Sequence, residues 1–451
     1  MKNNNSRIMI AGTNSGCGKT TITCALLRAL INRGLKTAAF KCGPDYIDPM
    51  FHTEIIGAKS RNLDMFLCGE QVTKYLLKKN SENADISIIE GVMGYYDGLG
   101  FDNTLYSSCD FSNKTSTPVI LAVNCLGMSL SVVALIKGYL EFYENQIVAV
   151  ILNNISEGMY LKYKDSIERH LNIKVLGFMP RQKEAVLESR HLGLVTAEEV
   201  VALDEKIELL AKMAQKYIDL DAIISLAKSA LPLVCEEVII VKQNPVKIAF
   251  ARDKAFCFYY EDSLELLRQM GAMLIPFSPL EDGVLPEGID GLILGGGYPE
   301  LYLEKLSKNT SMLNSIKDSV INGLPTYAEC GGFMYLGKTI TIDDRKYKMV
   351  GAIDTNSILT KKLQNFGYIH IKAYEDNMFC NKGEGINAHE FHYSSSDNNG
   401  KTFKALKSSG KSWDGIFATD TIYAGYPHLH LWGNIDFAKR FLKRCWDFRS
   451  K

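Results

Sequence analysis

The sequence lacks three features that would each indicate a class of partner or a compartment. Its 51 Lys and Arg residues balance 51 Asp and Glu residues, so the zero net charge gives no electrostatic argument for binding nucleic acid or an anionic membrane. Its 11 cysteines form no C-x-x-C pair, which favours reduced thiols in a cytoplasmic protein over a disulfide framework or a zinc site. No run reaches the roughly 18 apolar residues of a membrane span, and the polar Met1–Arg7 segment predicts no signal peptide.

The chain does contain a long alternation of apolar runs and helical stretches, and its 451 residues predict two or three domains. Residues 1–191 are predicted to form a doubly wound α/β domain, because their apolar runs are continuous, as in a parallel sheet covered on both faces. Residues 192–245 are predicted to be a helical connector and linker. Residues 246–451 start a second β/α series that becomes richer in strands after Lys338. The predicted strands are Ile8–Gly12, Thr37–Cys42, Ile86–Gly91, Val119–Asn124, Ile147–Asn153, Val175–Met179, Val246–Ala251, Met273–Phe277, Gly291–Gly295 and Leu324–Ala328.

The first predicted strand leads into a glycine-rich loop, Gly12–Thr20, and then into a helix. Small residues let backbone N–H groups surround phosphates, and the helix N-terminus adds partial positive charge. Lys19 is placed to reach the β/γ-phosphates, and Thr20 to bind Mg²⁺. Five residues, rather than the usual four, separate Gly12 from Gly18, so the loop is a variant P-loop. The residues predicted to bind ATP here are Gly12, Thr13, Asn14, Gly16, Gly18, Lys19, Thr20 and Thr21.

A lysine and two aspartates, Lys41, Asp45 and Asp48, follow the second predicted strand. Ligands bind beyond the carboxyl ends of parallel strands, so these groups are expected beside the phosphates. Two carboxylates suit metal-bound phosphoryl chemistry, and Lys41 can neutralise charge on the moving phosphoryl group. The alternative is that Gly-Pro-Asp simply forms a turn.

Three further polar residues follow later strands of the first domain. Glu90 ends an apolar strand, which is the position of a Walker B acid. An acid at this position is expected to act on Mg²⁺ directly or through water. Asp97 supplies another acid on the next loop, and Asn153 is a candidate for contacting the nucleobase, with helix capping as the alternative. The predicted metal-binding residues are Thr20, Asp45 and Glu90.

The second domain contains a cysteine at a predicted strand-to-helix turn. Cys330 follows an apolar run and precedes two glycines, a setting in which the helix dipole lowers the thiol pKa. Another predicted strand also ends in glycines. Downstream, either His428 or His430 supplies the base for a Cys–His nucleophile. The backbone N–H groups predicted to form an oxyanion hole are those of Gly296, Gly297 and Gly331.

Seven ordered motifs resemble those of the cobyrinic acid a,c-diamide synthases, a family of corrinoid amidases, and this resemblance covers essentially the whole chain. It implies a first domain similar to dethiobiotin-synthetase-type P-loop ATPases, which have the same loop spacing. It implies a second domain similar to class I glutamine amidotransferases, with a flavodoxin-like fold. The motifs are Gly12–Thr20, Lys41–Pro49, Glu188–Leu194, Gly295–Glu300, Ala328–Tyr335, His389–Ser394 and Tyr426–His430.

Two positions depart from the pattern of ordinary class I glutaminases, which carry Gly-x-Cys-x-Gly and a His-Pro-Glu end. Ala328 replaces the first glycine, and His430 stands where the glutamate would be if His428 is catalytic. The corrinoid branch is similar in lacking that glutamate. The His-Pro-Glu register favours His428 as the base, with His430 as the alternative.

The resemblance implies two linked reactions. Cys330 attacks the side-chain amide of L-glutamine, which releases ammonia and then glutamate. ATP with Mg²⁺ phosphorylates a carboxylate, and ammonia displaces the phosphate, so two rounds would amidate the a and c acetates of cobyrinic acid. Lys41, Asp45, Asp48 and Asp97 would serve phosphoryl transfer and substrate positioning. A cytoplasmic enzyme with small-molecule substrates and neither a nucleic-acid nor a membrane partner is expected, and a homodimer is compatible with this expectation.

Three other functions are alternatives. Nickel-sirohydrochlorin a,c-diamide synthase keeps the chemistry on another tetrapyrrole, and cobyric acid synthases amidate other side chains. An ATP-dependent partitioning switch has a similar variant loop, but that family carries a lysine where this sequence has Asn14. A switch also gives no reason for Cys330.

Overall fold

The computed structural model describes residues 6–181 and 197–450, with the side chains of the second range described from residue 202 onward. The predicted Glu188–Leu194 motif, including Arg190 and His191, lies outside the described residues. The chain divides into two units: Met1–Met65 with Gly69–Glu237, and Phe66–Cys68 with Val238–Lys451.

The first unit is built on a seven-stranded sheet whose strands all run parallel. In chain order the strands are β1 Arg7–Gly12, β2 Thr37–Cys42, β3 Lys59–Leu63, β4 Ile86–Glu90, β5 Val119–Asn124, β6 Ile147–Asn153 and β7 Lys174–Met179. Their order across the sheet is β3-β2-β4-β1-β5-β6-β7. The predicted parallel sheet is confirmed. Strand β3 was missed, because its sequence Lys-Ser-Arg-Asn-Leu offers no apolar run.

Helices connect these strands and cover the sheet. They are α1 Lys19–Asn32, α2 Ile47–Glu54, α4 Glu70–Ser81, α5 Ser108–Thr115, α6 Ser131–Glu141, α7 Glu157–His170, α8 Ala197–Tyr217 and α9 Leu220–Lys228. The short helix α3 Met65–Cys68 belongs, from Phe66 onward, to the second unit. Helix α1 begins at the second residue of the Gly-Lys pair, so Lys19 and Thr20 form its first turn. Strands β1 and β4 are buried along their whole length, which places the residues at their carboxyl ends on a rigid base.

The helices that the sequence predicted as a connector pack into the first unit instead. Ile207, Leu210 and Ala214 of α8 are buried in the same hydrophobic cluster as α1. Arg28 of α1 adds ion pairs of 2.9 Å to Asp204 and 2.5 Å to Glu208. Burying one large aliphatic side chain contributes about 1.5–3 kcal/mol, so the apolar contacts outweigh the exposed ion pairs in fixing α8.

The segment predicted to be a helical connector contains a break between α8 and α9. The break lies where Ile218 forms a bridge with Gly177 of β7 and the Asp219 N–H donates to the Leu176 carbonyl at 2.8 Å. Gly177 has φ +144°, and a Cβ there would lie 2.2 Å from the Tyr217 carbonyl oxygen. Tertiary contact with the sheet edge therefore ends a pattern that is locally helical.

The second unit contains two sheets. In chain order its strands are β8 Val246–Ala251, β9 Ala272–Phe277, β10 Gly291–Leu294, β11 Thr326–Glu329, β12 Thr339–Ile342, β13 Arg345–Lys348, β14 Asn356–Ala373, β15 Gly385–Ser396, β16 Phe403–Leu406, β17 Ser412–Gly415, β18 Phe417–Ala418, β19 Ile422–Gly425 and β20 His428–Leu429. The first sheet has the order β18-β19-β11-β10-β8-β9 and is parallel except for β18. The second has the order β13-β12-β14-β15-β20, with β16 joining β14 to β17. The predicted strand-rich end of the chain is thus a separate, mainly antiparallel sheet.

Helices of the second unit flank the first of these sheets. They are α10 Glu261–Gln269, α11 Leu303–Lys308, α12 Thr310–Ile321, α13 Gly331–Leu336 and α14 Ile435–Arg449, with 3₁₀ turns at Pro299–Leu301 and Leu431–Gly433. Helices α11 and α12 are separated at Asn309, whose side chain caps α12 and donates to the Pro279 and Asp282 carbonyls. Throughout the parts of the chain that the structure describes, no helix is both long and apolar enough to cross a membrane.

Candidate active sites

The glycine-rich loop of the first unit closes tightly between β1 and α1. A Cβ on Gly12 would lie 2.2 Å from Sγ of Cys17, and Gly18 has φ +103°, so both positions require glycine. Asn153, at the end of β6, donates to the Cys17 carbonyl at 2.9 Å. The structure therefore places Asn153 against the backbone of the loop, which it supports. Its predicted contact with the nucleobase stays a prediction.

Lys19 extends from the first turn of α1 across the loop. Its Nζ donates to the carbonyls of Asn14 at 3.0 Å and Met93 at 2.5 Å, and burial lowers its pKa. Asp97 lies nearby, with Oδ2 accepting a 2.8 Å bond from the Gly94 N–H. These contacts hold the Met93–Asp97 turn beside the phosphate loop.

Three side chains lie against Glu90, at the carboxyl end of β4, and a fourth, Asp48, joins them through Lys41. Oε1 of Glu90 accepts from the Thr20 hydroxyl at 2.6 Å and from the Lys41 ammonium at 2.7 Å. Lys41 also pairs with Asp48 at 2.5 Å, and Nε2 of His52 lies 3.5 Å from Oε2 of Glu90. The structure thus brings together Thr20, Lys41, Asp48, Glu90 and His52.

Burial and charge compete in this cluster. Burial alone would raise the pKa of Glu90, but Lys41 and His52 outweigh it and lower that pKa well below its ordinary value. Burial alone would lower the pKa of Lys41, but Glu90 and Asp48 outweigh it and raise that pKa. Asp48 has its pKa raised to about 7, first by burial and then by Glu90. Glu90 and Lys41 are therefore charged at neutral pH.

Asp45 does not contact Thr20 or Glu90 directly but shapes the loop that carries Asp48. Oδ1 of Asp45 accepts from the N–H groups of Ile47 and Asp48, at 2.8 and 3.1 Å, at the start of α2. Asn62 of β3 fastens the same loop by donating to the carbonyls of Gly43 and Asp45. The Gly-Pro-Asp segment is therefore a turn, and that turn aims Asp48 at Lys41.

The Thr20 hydroxyl and the Glu90 carboxylate fit a magnesium nucleotide. Mg²⁺ prefers oxygen ligands and is held in such sites by one or two protein oxygens together with phosphate oxygens and water. Within residues 6–181 and 197–450, no group of three or more His, Cys, Asp or Glu side chains is arranged to hold a metal ion. A magnesium site that is completed by oxygens of the nucleotide does not need such a group.

In the second unit, Cys330 occupies a strained turn between β11 and α13. Its φ of +46° and ψ of −102° place a non-glycine residue in a region that L side chains rarely adopt. The Cys330 N–H donates to the Gly425 carbonyl at 2.8 Å, and the Cys330 carbonyl accepts from the Met334 N–H at 3.0 Å. Parallel pairing of β11 with β19 and the first turn of α13 thus fix the conformation of Cys330.

The glycines predicted to form the oxyanion hole converge on this turn. The space that a Cβ on Gly331 would occupy lies 3.3 Å from the Gly297 backbone nitrogen, and a Cβ on Gly296 would lie 2.6 Å from Cε1 of His428. The N–H of Gly295 is already bound, because it donates to the Tyr259 hydroxyl at 2.9 Å. The structure therefore groups Gly296, Gly297 and Gly331 beside Cys330 and His428.

The two candidate histidines have different surroundings. Burial alone would lower the pKa of His428, but Cys330 and Glu329 outweigh it and raise that pKa to about 10. Nδ1 of His428 lies 3.6 Å from Oε2 of Glu329. His430 is fully buried against the Tyr260 ring, with ring centroids 4.7 Å apart, and burial lowers its pKa to about 3. Of the two, His428 is the one that interacts with Cys330.

Comparison with known proteins finds a domain family for each part of the chain and relatives over nearly its full length. Residues 8–194 match the model of the CobQ/CobB/MinD/ParA nucleotide binding domain, and residues 247–435 match the CobB/CobQ-like glutamine amidotransferase domain. A cobyrinate a,c-diamide synthase from Caldanaerobacter subterraneus subsp. tengcongensis is 43% identical over 98% of this chain and 99% of the relative. Those from Clostridium tetani and Thermoplasma volcanium are 41% and 40% identical, over 97% and 99% of this chain and 99% and 98% of their own lengths. The chain belongs to the cobyrinate a,c-diamide synthase family.

As a member of the cobyrinate a,c-diamide synthase family, the chain is an enzyme, an amidotransferase ligase that joins a nucleotide-binding domain to a glutamine amidotransferase domain. Two residues at its sites had no role in the sequence analysis. His52 gave no signal, since it is a lone histidine on a short helix. Glu329 lay within a recognised motif, but its role depends on where its side chain points.

Proposed function

We propose that the chain converts the a and c acetate carboxylates of cobyrinic acid into amides, using L-glutamine as the nitrogen donor and ATP as the activating substrate. The observation that carries this proposal is Cys330 on its strained turn beside His428. A nucleotide-dependent switch has no use for such a pair, whereas a glutaminase requires it. The cobyrinate a,c-diamide synthases that this chain resembles over their full length support the choice of substrate.

In the proposed glutaminase reaction, His428 holds the proton of Cys330, and the thiolate attacks the side-chain amide of glutamine. Backbone N–H groups at Gly297 and Gly331 face the developing oxyanion. His428 then gives its proton to the departing nitrogen, which leaves as ammonia. Water hydrolyses the thioester and releases glutamate, so the thiol is regenerated.

In the proposed synthase reaction, ATP with Mg²⁺ supplies a phosphoryl group that turns the carboxylate oxygen into part of a good leaving group. Lys19 and the loop N–H groups would bind the phosphates, and Thr20 and Glu90 would hold Mg²⁺. Lys41, held by Glu90 and Asp48, would neutralise charge on the transferred phosphoryl group and so lower the barrier. Ammonia then displaces phosphate from the acyl phosphate.

The test compares two tetrapyrroles. Purified protein is incubated with glutamine, ATP and Mg²⁺ and with either cobyrinic acid or nickel-sirohydrochlorin, and diamide products are identified by mass spectrometry. We expect turnover of cobyrinic acid, with one ADP and one glutamate formed for each amide. Turnover of nickel-sirohydrochlorin alone would overturn the choice of substrate.

The acyl phosphate is tested separately with cobyrinic acid labelled with oxygen-18 in its carboxylates. Transfer of the label to inorganic phosphate is expected, because the carboxylate oxygen that attacks ATP leaves with the phosphate. Unlabelled phosphate alongside amide formation would refute this intermediate.

A further inference from the structure

The second unit contains a buried carboxylate next to the nucleophile for which the glutaminase reaction has no assigned role. Glu329 immediately precedes Cys330 at the end of β11 and is 7% exposed. Its Oε1 accepts from the Leu429 N–H at 2.7 Å and from the Tyr327 hydroxyl. These two bonds fix the side chain and leave Oε2 directed towards Nδ1 of His428, 3.6 Å away.

His430, at the position of the missing glutamate, cannot supply this carboxylate. It packs against the Tyr260 ring, and in the part of the chain that the structure describes its Nδ1 has no hydrogen-bond partner. Its neutral imidazole therefore provides no negative charge to His428. A general base of this kind needs a partner on the nitrogen that faces away from the nucleophile.

We propose that Glu329 is the positioning residue of the glutaminase site, which orients His428 through Nδ1 and takes the place of the glutamate that follows the catalytic histidine in ordinary class I enzymes. The proposal rests on the proposed glutaminase function. With its Nδ1–H directed at Oε2 of Glu329, His428 presents Nε2 to Cys330 and holds the thiol proton there as an imidazolium. The third member of the triad thus comes from the strand that carries the nucleophile and not from the strand that carries the base.

The surroundings of this pair determine its pH dependence. Cys330 from the β11–α13 turn and His389 of β15, which pairs with His428 across β15 and β20, face the imidazole. Lys407 lies beyond His389. The titratable groups around Glu329 itself are the hydroxyls of Tyr259, Tyr327 and Tyr423. Among the groups that influence His428, Glu329 is therefore the carboxylate that faces its imidazole.

The decisive variant is Glu329→Gln, which keeps the shape and the Oε1 acceptor for the Leu429 N–H and the Tyr327 hydroxyl. Its amide NH₂ would face Nδ1, which must then accept, so the proton moves to Nε2 and the base is lost. We expect the glutaminase kcat to fall about 100-fold with little change in KM for glutamine. The alkaline limb of the pH profile should move about one unit to lower pH, because a carboxylate that stabilises the imidazolium is gone.

Two further variants separate positioning from folding. Glu329→Asp retains the charge at shorter reach, so we expect an intermediate kcat and an alkaline limb close to that of the unmodified chain. Glu304→Gln makes the same chemical change at an exposed site of the same unit and should alter neither quantity. Tryptophan fluorescence reports folding of this unit, since Trp413, Trp432 and Trp446 all belong to it.

An unchanged kcat in Glu329→Gln, or a lowered kcat with an unmoved alkaline limb, would overturn the proposal. Nitrogen-15 NMR of histidine-labelled protein gives a second reading that needs no turnover, with the His428 signals assigned from a His428→Asn sample. We expect a change in the protonated ring nitrogen between the unmodified chain and Glu329→Gln. If the unmodified chain hydrolyses no glutamine, the glutaminase function fails, and the NMR result still decides whether Glu329 controls His428.

Discussion

The hydroxyl of Thr20 donates a 2.6 Å hydrogen bond to Oε1 of Glu90, which joins the first turn of α1 to the tip of β4. The same carboxylate oxygen accepts from Lys41 at 2.7 Å. The proposed metal ligand of the P-loop and the acid proposed for the Walker B position are therefore in contact through one oxygen. The positions of Thr20 and Glu90 depend on each other and on the ammonium group of Lys41 beside them.

Replacing Thr20 tests this relationship in the synthase reaction. Thr20→Val keeps the side-chain shape but removes the hydroxyl, so Glu90 loses a donor and Mg²⁺ loses a ligand. We expect ATP-dependent amidation to fall at least about 10-fold, with a higher Mg²⁺ requirement. Thr20→Ser keeps the hydroxyl and should retain most of the activity. Equal magnesium titrations for the two variants would contradict the assignment.

Replacing Lys41 tests the charge balance of the same cluster. Lys41→Met leaves the buried Glu90 and Asp48 without their cation, and breaking such a pair costs about 3–5 kcal/mol. Calorimetry should show a lower unfolding temperature for the first unit, together with loss of ATP-dependent activity. Adding Glu90→Gln should recover part of the stability, because it removes the uncompensated charge. Lys59→Met, at an exposed position of β3, is the matched control and should leave the unfolding temperature unchanged.

Replacing Cys330 separates the two reactions. Cys330→Ser should abolish amidation with glutamine while sparing amidation with added ammonia, since the synthase site does not use the thiol. Cys235→Ser changes a partly exposed cysteine outside the motifs and should leave both activities intact. If ammonia-driven activity fell as far as glutamine-driven activity, Cys330 would not be the glutaminase nucleophile.

The contact between β7 and the α8–α9 break makes a prediction about stability. Gly177→Ala would place a methyl group 2.2 Å from the Tyr217 carbonyl at a φ of +144°, and we expect a loss of about 2–3 kcal/mol from the first unit. Gly158→Ala, where a Cβ meets nothing within 4 Å on helix α7, should be neutral or slightly stabilising. Calorimetry measures both variants, and tryptophan fluorescence should show the second unit unaffected. Equal unfolding temperatures for the two variants would refute the steric argument.

Buried histidines should make the second unit sensitive to acid. Burial lowers the pKa of His430 to about 3, and burial together with His428 lowers the pKa of His389 to about 3. Both side chains therefore stay neutral in the folded state at pH values below the ordinary histidine pKa. The unfolded chain takes up these protons first. Stability should therefore fall as pH decreases from about 6.5, by up to about 1.4 kcal/mol per pH unit for each histidine.

Urea unfolding followed by tryptophan fluorescence between pH 5 and 6.5 measures this slope. His428 adds little to it, because its raised pKa keeps it protonated in both states below about 6.5. His430→Gln removes one of the two neutral histidines and should make the slope shallower by about 1.4 kcal/mol per pH unit. The same slope in the variant and the unmodified chain would show that His430 is protonated when folded.

Much of the fold and of both sites could be predicted because the signals are local. Continuous apolar runs identified six of the seven strands of the first sheet, and the spacing of Gly12, Lys19 and Thr20 identified the phosphate loop. Strand β3 was missed because its register is set by pairing with β2 and not by its own composition. Helices α8 and α9 were predicted to be a connector for a related reason. The sequence of an amphipathic helix does not indicate which surface covers its apolar face.

The sequence by itself determined which chemical groups this protein has and the order in which strand ends present them, because phosphate loops and nucleophile turns need particular residues at fixed local spacing. Only the tertiary structure decided which groups meet. Glu90 meets Lys41 because parallel strands β4 and β2 align their carboxyl ends, and Thr20 and His52 reach it from helices α1 and α2. Glu329 reaches His428 because β11, and β20 of the second sheet, bring residues about a hundred positions apart within a few ångströms. Such distances follow from packing, which local spacing does not encode.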